Sequence, residues 1–334
     1  MEKKKFKFTY NLALVAICIV LFVVFYIFNH HFVNLGAIKL TIELAIMACA
    51  MTMLIIMACI DFSLCSTATL SAAVGGIVFS VTGNAFLGVL VSLLIGAMCG
   101  CFNGFMVAVL KLPPLITTLA TMYLYKGIAK AVTLASGWGT NVATTPVATF
   151  LGSHNLFGVI PTQFVVLAIL ALILHIVLSK TVYGRILYAI GLNENAARFA
   201  GIDVTRIKFL TYALAGVIFS LAGQVLMGRF STVQYDSADS YQMQVIIVCV
   251  LGGCNMNGGR GTIGGTLLGA AIINLLVSGM NGVALPQTQQ KIFLGIVLLV
   301  SLISFQLIEE HDQKVKGQQR IKAAEEAMAA KAQS

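Results

Sequence analysis

The sequence predicts an all-α membrane protein, a polytopic bundle of about ten transmembrane helices that forms a single domain over residues 1–308. Of the 334 residues, 59% are hydrophobic and only 10% are charged, whereas a soluble protein carries roughly 25% charged residues. Residues 8–38, 62–110, 131–179 and 261–290 contain no Asp, Glu, Lys or Arg. Because a helix needs about 20 apolar residues to cross the hydrocarbon layer, the two longest blocks each have room for two spans.

The apolar blocks divide into ten predicted spans. Their apolar residues do not alternate with polar ones, as membrane β-strands would require, so the pattern favours helices. The eighth span is short and ends in glycines. The spans are predicted at residues 10–29, 38–57, 63–82, 86–110, 115–135, 162–179, 209–229, 243–256, 262–282 and 291–308.

The basic residues predict the orientation of the bundle. Placing the N-terminus inside puts most of the 21 Lys and Arg side chains in cytoplasmic segments, which is the usual bias of membrane proteins. Both termini are therefore predicted to be cytoplasmic, and residues 309–334 form a charged cytoplasmic tail. The net charge of +9 follows from this bias and from a basic face toward anionic lipid, so no nucleic acid is expected as a partner.

The sequence contains no pattern that predicts catalysis or metal binding. The eight cysteines lie in or beside apolar segments without a C-x-x-C pair, so they are interpreted as small packing residues. No catalytic residues, metal or cofactor are expected, and the chain is not expected to be an enzyme. It contains no G-x-x-x-x-G-K-[ST] sequence, so any ATP-driven role requires a separate subunit.

The cytoplasmic connection 180–208 predicts a short helix between two breakers. Asn193 can cap the start of a helix, and Glu194 lies in the first turn, where the helix dipole favours an acid. Gly201 can end this helix in the left-handed conformation, and Asp203 can cap the next one. A helix of about seven residues is unstable alone. The predicted short helix must therefore pack either on the membrane spans of the same chain, as an ordinary loop helix does, or on a partner protein.

A few polar residues are candidates for a solute path or gate. Asp61 lies at the predicted cytoplasmic end of the second span. There it could contact a gate or hinge, or it could cap the third span beside Ser63. The other candidates can equally bond a neighbouring helix. They are Asn103, Thr117, Thr118, Asn274 and Asn281.

Two small-residue pairs predict close helix packing. They are Gly96-x-x-x-Gly100 in the fourth span and Gly265-x-x-x-Gly269 in the ninth. The two spans run in opposite directions under the predicted topology, and an Asn follows each pair. This correspondence favours an inverted repeat, which is common in transporters.

Three stretches of the sequence together resemble one family, the ribose/xylose/galactose-type sugar ABC transporter permeases, over nearly the whole chain. The first is Gly184-Arg185 followed by Ala189-Ile190-Gly191, Asn193-Glu194, Ala196-Ala197-Arg198 and Gly201-Ile202. The second is Gly100 and Asn103-Gly104 followed by residues 112–121, and the third is the glycine-rich segment 251–269. One segment departs from the family pattern: Ala58, Cys59 and Cys65 stand where glycines are usual, so no particular sugar is implied.

The resemblance implies an importer permease of the bacterial cell (inner) membrane. Two permease subunits, identical or related, would form the path, and an extracellular or periplasmic solute-binding protein would deliver a sugar. Separate ATP-binding subunits would hold the loop 180–208 as a coupling element. The loop residues that match the family pattern are Gly184, Arg185, Gly191, Asn193, Glu194, Ala197, Arg198 and Gly201.

Two alternatives stay open from the sequence. A permease for branched-chain amino acids has a similar architecture. A gradient-driven secondary transporter acting alone would need ionisable residues in mid-membrane, and these are nearly absent.

Overall fold

The computed structural model describes residues 2–28, 35–137, 142–158, 160–286, 288–301 and 303. Within this part of the chain the protein is a bundle of helices. They are α1 (Glu2–Phe28), α2 (Leu35–Ile56), α3 (Leu64–Thr82), α4 (Ala85–Gly104, continued by a π-helical turn at Phe105–Val109), α5 (Pro114–Ala135), α6 (Pro146–Ser153), α7 (Thr162–Lys180), α8 (Val182–Leu192), α9 (Glu194–Phe199), α10 (Val204–Phe230), α11 (Tyr241–Leu251), α12 (Ile263–Gly282) and α13 (Thr288–Ser301).

Two short antiparallel strand pairs connect helices. The strand β1 (Val142–Ala143) pairs with β4 (Thr232–Val233). The strands β2 (Asn155–Leu156) and β3 (Ile160–Pro161) form a hairpin before α7. Under the predicted topology both pairs lie at the outer end of the bundle.

Helices of the described residues lie over the predicted spans. Five of these helices are long and apolar enough to cross a membrane, namely α3, α4 with its π-helical turn, α7, α10 and α12. The predicted span 243–256 is the main difference, since α11 has only 11 residues and is about 16 Å long. It ends at Leu251 because Gly253 takes a left-handed φ of 85°. The predicted tail, residues 309–334, lies outside the described residues.

The helix α2 is the centre of the bundle. Every residue from Ile42 to Met57 is buried, and α2 packs against α7, α10, α11 and α12. A helix that is apolar on all sides is stable when it is surrounded by other helices.

The cysteines near α2 are free and buried, as expected of packing residues.

The small-residue pairs bring helices together, as predicted. A Cβ atom on Gly96 would lie 2.4 Å from the Cβ of Ser220, and one on Gly100 would lie 2.3 Å from the backbone oxygen of Tyr212. These two glycines therefore allow α4 to approach α10. On α12, a Cβ on Gly269 would lie 2.3 Å from the oxygen of Val248, so this pair packs against α11.

Candidate coupling loop and solute path

The loop 180–208 has the capping pattern that the sequence predicts. Asn193 Oδ1 accepts a hydrogen bond from Ala196 N at 3.0 Å at the start of α9, and Gly201 has a φ of 81° just after its end. Asp203 Oδ1 accepts from Arg206 N at 3.0 Å and caps α10. These three predictions are confirmed, and α9 is one residue shorter than expected, with six residues.

A charged cluster ties α9 to α10. The two oxygens of Glu194 accept hydrogen bonds from Arg198 Nη2 at 2.8 Å and from Lys208 Nζ at 2.6 Å. Partial burial raises the pKa of the Glu194 carboxyl, but the hydrogen bonds and charges of Lys208 and Arg198 outweigh it and lower the pKa overall. Glu194 is therefore ionised at neutral pH, and it joins two helices that a six-residue segment cannot hold by itself.

One side of α9 is buried and the other projects away from the bundle. Ala197 is buried, whereas Phe199 is 93% exposed and Leu192, just before α9, is 69% exposed. Arg185 is also exposed on α8. Phe199 and Leu192 therefore leave apolar surface uncovered at the tip of the loop.

The helix α8 packs closely against the C-terminal ends of α2 and α7 through glycines. A Cβ on Gly191 would lie 1.8 Å from the backbone oxygen of Ile56, and one on Gly184 would lie 2.4 Å from that of Val177. Ile56 O also accepts a hydrogen bond from Gly259 N at 2.8 Å, and Tyr188 donates to Gly261 O at 2.7 Å. The loop 180–208, the end of α2 and the glycine-rich turn before α12 therefore form one packed unit.

Asp61 is the centre of a buried polar network next to this unit. Its Oδ1 accepts hydrogen bonds from the backbone N–H and the hydroxyl of Ser63, both at 2.7 Å, just before α3 begins. Its Oδ2 accepts from Asn103 Nδ2 at 3.2 Å. Tyr125 donates to Asn103 Oδ1 at 3.0 Å. The network joins the segment before α3 to α4 and α5. Among the described residues Asp61 bonds Ser63, the residue before α3, and no backbone N–H of the helix, so it forms a local turn there and does not cap the third span as the sequence suggested.

The two threonines of α5 mainly bond their own helix. Thr117 donates to Pro113 O at 2.9 Å. Thr118 donates to Pro114 O at 2.9 Å and also lies 3.3 Å from Ile60 O, beside Asp61. Thr118 therefore belongs to the surroundings of the Asp61 network.

Asn274 lies apart from the other candidates. It lines an open groove between α2, α11 and α12, together with Thr41, Gln244, Ser278 and other residues. The structure thus brings Asp61, Asn103 and Thr118 together, whereas Asn274 lies in the separate groove between α2, α11 and α12.

The sequence reasoning missed a buried ion pair. Glu43, fully buried in α2, accepts hydrogen bonds from Arg229 Nε at 2.7 Å and Arg229 Nη2 at 3.1 Å. Tyr241 donates to Glu43 Oε2 at 3.0 Å. The signal was available, because Glu43 and Arg229 are isolated charges inside or at the end of apolar segments, and such charges pair when buried.

A second charged contact lies between α5 and the segment before α11. Lys126 forms an ion pair with Asp239, and both side chains are partly exposed. Lys130 lies over the ring of Tyr235, 5.4 Å from its centroid. These contacts hold the segment after β4 against α5.

Comparison with known proteins identifies the family. A family model described as "Branched-chain amino acid transport system / permease component" matches residues 33–302. The chain is 34% identical over 264 residues to the ribose import permease protein RbsC of Escherichia coli (strain K12), covering 78% of this chain and 81% of the relative. It is 35% identical over 292 residues to RbsC of Bacillus subtilis (strain 168), covering 85% and 89%.

A further relative is the L-arabinose transport system permease protein AraH of Escherichia coli (strain K12), which is 32% identical over 286 residues, or 85% of each chain. No solved structure matches the chain. The helices described above and these matches make the chain a multi-pass membrane protein and a transport component rather than an enzyme. Because the family model and these relatives each cover more than two thirds of it, the chain belongs to this family of transport-system permease components.

Proposed function

We propose that the chain is the permease subunit of an ATP-driven importer for a sugar or sugar-like solute in the bacterial inner membrane. The relatives are named for ribose and arabinose, which favours a sugar over a branched-chain amino acid. The observation that carries the proposal is the exposed tip of α9, a short helix with a nearly fully exposed Phe199. A separate ATP-hydrolysing subunit would cover this tip and drive the permease.

The proposed arrangement in the membrane is one domain over residues 1–308 with ten spans and both termini in the cytoplasm. The helix pairing supports an inverted repeat. The pair α3–α4 corresponds to the pair α11–α12, and α4 packs on α10 as α12 packs on α2. In this arrangement α11 contributes its span together with the glycine-rich segment that follows it.

The proposed coupling element is the loop 180–208. The glycines of the loop, Gly184, Gly191 and Gly201, serve its shape through close backbone approach and a left-handed turn. Asn193, Glu194 and Arg198 hold the start and the orientation of α9, and Ala197 packs its inner face. Arg185 and Phe199 present charge and apolar surface to the ATPase. Movement of this unit would reach the end of α2 directly, because Gly191 is packed against Ile56.

The proposed path has two parts. Asp61, Asn103, Thr117 and Thr118 form the cytoplasmic side, where a change in the α2–α3 connection would open or close the path. Asn274 lies on the wall of the outer half. An extracellular solute-binding protein would deliver the sugar, and a second permease subunit would complete the path.

The docking proposal is tested by replacing Phe199 with Asp and measuring capture of the co-encoded ATPase by the purified permease in detergent. A charge at the centre of an apolar contact should weaken capture about 30-fold or more, because interface anchors contribute 2 kcal/mol or more. The matched control is Phe157→Asp, since Phe157 is 96% exposed on the opposite side of the proposed membrane. Equal capture by both variants and the unchanged chain would contradict the docking role of α9.

A further inference from the structure

The groove beside Asn274 is lined by uncharged polar side chains from three helices. Asn274, Ser278 and Asn281 lie at positions i, i+4 and i+7 and so share one face of α12. Thr41 of α2 and Gln244 of α11 face them across the groove. A polar face on a membrane helix is unfavourable against lipid, so it marks a place that water or a solute enters.

The amides of this groove have hydrogen-bonding capacity to spare. Asn274 Oδ1 accepts from Ser278 Oγ at 3.1 Å, and Asn281 Oδ1 accepts from Gln290 Nε2 at 2.8 Å. Within the described residues, the amide nitrogens of Asn274 and Asn281 donate to no other group, and the Gln244 amide has no partner. The groove therefore offers hydrogen-bond donors and acceptors side by side. A sugar hydroxyl requires both, because it donates one hydrogen bond and accepts others.

The remaining lining of the groove is apolar. Leu44, Ile273 and Val277 supply its walls, and the space between them admits a hydroxyl-sized group of a solute that lies across the opening. No charged side chain lines the groove among the described residues. The adjacent carboxylate, Glu43, is fully engaged by Arg229 and Tyr241 and is buried. A zwitterionic amino acid would bring two charges that no lining group neutralises, at a high desolvation cost.

We infer that this groove is a contact site for a neutral polyhydroxylated solute, with Gln244 and Asn274 as its hydrogen-bonding residues. The inference rests on the proposed function and adds to it a contact site on α2, α11 and α12. Under the proposed orientation α12 runs outward from the cytoplasm, so the groove lies in the outer half of the path. The self-satisfied Asp61 network lies on the cytoplasmic side and has less capacity to bind a solute.

The test uses the full importer, with its ATPase and binding protein, in proteoliposomes. Uptake of labelled D-ribose, L-arabinose and L-leucine is compared between the unchanged chain, Gln244→Leu and Asn274→Leu. The matched control is Gln242→Leu, because Gln242 lies two residues away on α11 and contacts Met122 of α5 at 3.1 Å instead of the groove. ATP hydrolysis stimulated by the loaded binding protein is measured in the same vesicles.

Gln244→Leu and Asn274→Leu should each lower sugar uptake about tenfold, since a solute hydroxyl then loses its partner. Stimulated ATP hydrolysis should stay within about twofold, and Gln242→Leu should behave as the unchanged chain. Ser278→Ala removes a single oxygen and should lower uptake about threefold. Because this change is small, it tests the groove even if Gln244→Leu or Asn274→Leu impairs folding.

The outcomes separate this inference from the proposed function. Sugar uptake by the unchanged importer with undiminished uptake by both groove variants would overturn the inference and leave the proposed function standing. Equal losses in Gln242→Leu and Gln244→Leu would also overturn it, because the groove would then have no special role. Uptake of leucine instead of either sugar would overturn both.

Discussion

At the scale of single residues, the burial of a charge decides how much its ion pair matters. Glu43 is fully buried and bonded by Arg229 and Tyr241, whereas Lys126 and Asp239 are both partly exposed. Removing one partner of a buried pair leaves an uncompensated charge inside the bundle. Removing one partner of an exposed pair costs little, because water solvates the remaining charge.

The first prediction follows from this contrast. Arg229→Met should lower the free energy of unfolding by about 3–5 kcal/mol, whereas Lys126→Met should lower it by less than about 1 kcal/mol. The double variant Glu43→Gln with Arg229→Met should recover part of the loss, because the stranded carboxylate is gone. Denaturant titration of the purified chain in detergent measures all three. Equal losses for Arg229→Met and Lys126→Met would contradict the role assigned to burial.

A second prediction concerns Gly191. A Cβ at this position would lie 1.8 Å from the Ile56 oxygen, with backbone on both sides, so Gly191→Ala should lower stability by about 1–3 kcal/mol or more. Gly264→Ala is the matched control, because nothing lies within 4 Å of its added Cβ. Melting temperatures in detergent compare the two. A tolerated Gly191→Ala would mean that α8 does not pack tightly on α2.

At the scale of elements, α9 depends on its surroundings for its structure. Six residues are too few for a helix that is stable in isolation. Its caps, its contact through Ala197 and the charges around Glu194 supply the missing stability. The position of α9 therefore depends on α10, which carries Lys208, and any movement of α10 is passed to the exposed tip.

The third prediction is a pH dependence of α9. The folded pKa of Glu194 lies below its unfolded value, so its contribution to stability is present above the unfolded pKa and is lost as the pH falls through the folded pKa. At neutral pH, Glu194→Gln should speed hydrogen exchange of the α9 amides by up to about fivefold, since partly exposed pairs contribute at most about 1 kcal/mol. Below the folded pKa the two chains should exchange alike, and amides within α10 serve as the internal control. Identical exchange at neutral pH would show that Glu194 does not hold α9.

At the scale of the whole molecule, the sequence was sufficient to place the long apolar helices and to predict the caps around α9. Long uncharged blocks mark the apolar helices, and Asn193, Gly201 and Asp203 act through local geometry. The shorter helices α6 and α8 lie in segments that were predicted as connections. The short α11 was harder to predict, because the apolar run continues past Leu251 and only the backbone at Gly253 ends the helix.

Contacts between distant segments could not be predicted from the sequence. Glu43 and Arg229 are 186 residues apart, and a charge in an apolar run does not identify its partner. The same holds for Asn274, whose neighbours Thr41 and Gln244 come from other helices. The candidate residues Asp61 and Asn103 were identified individually, whereas their shared network depends on how α3, α4 and α5 pack.

Under the proposed function, this chain moves solute only when a separate subunit hydrolyses ATP. The most direct measurement is uptake of labelled D-ribose and L-arabinose into vesicles that contain the purified chain, with and without the co-encoded ATPase and the binding protein. We expect uptake of at least one sugar by the complete set supplied with ATP, and none by the chain alone. Sugar uptake by the chain alone, in vesicles without any ATPase, would contradict it.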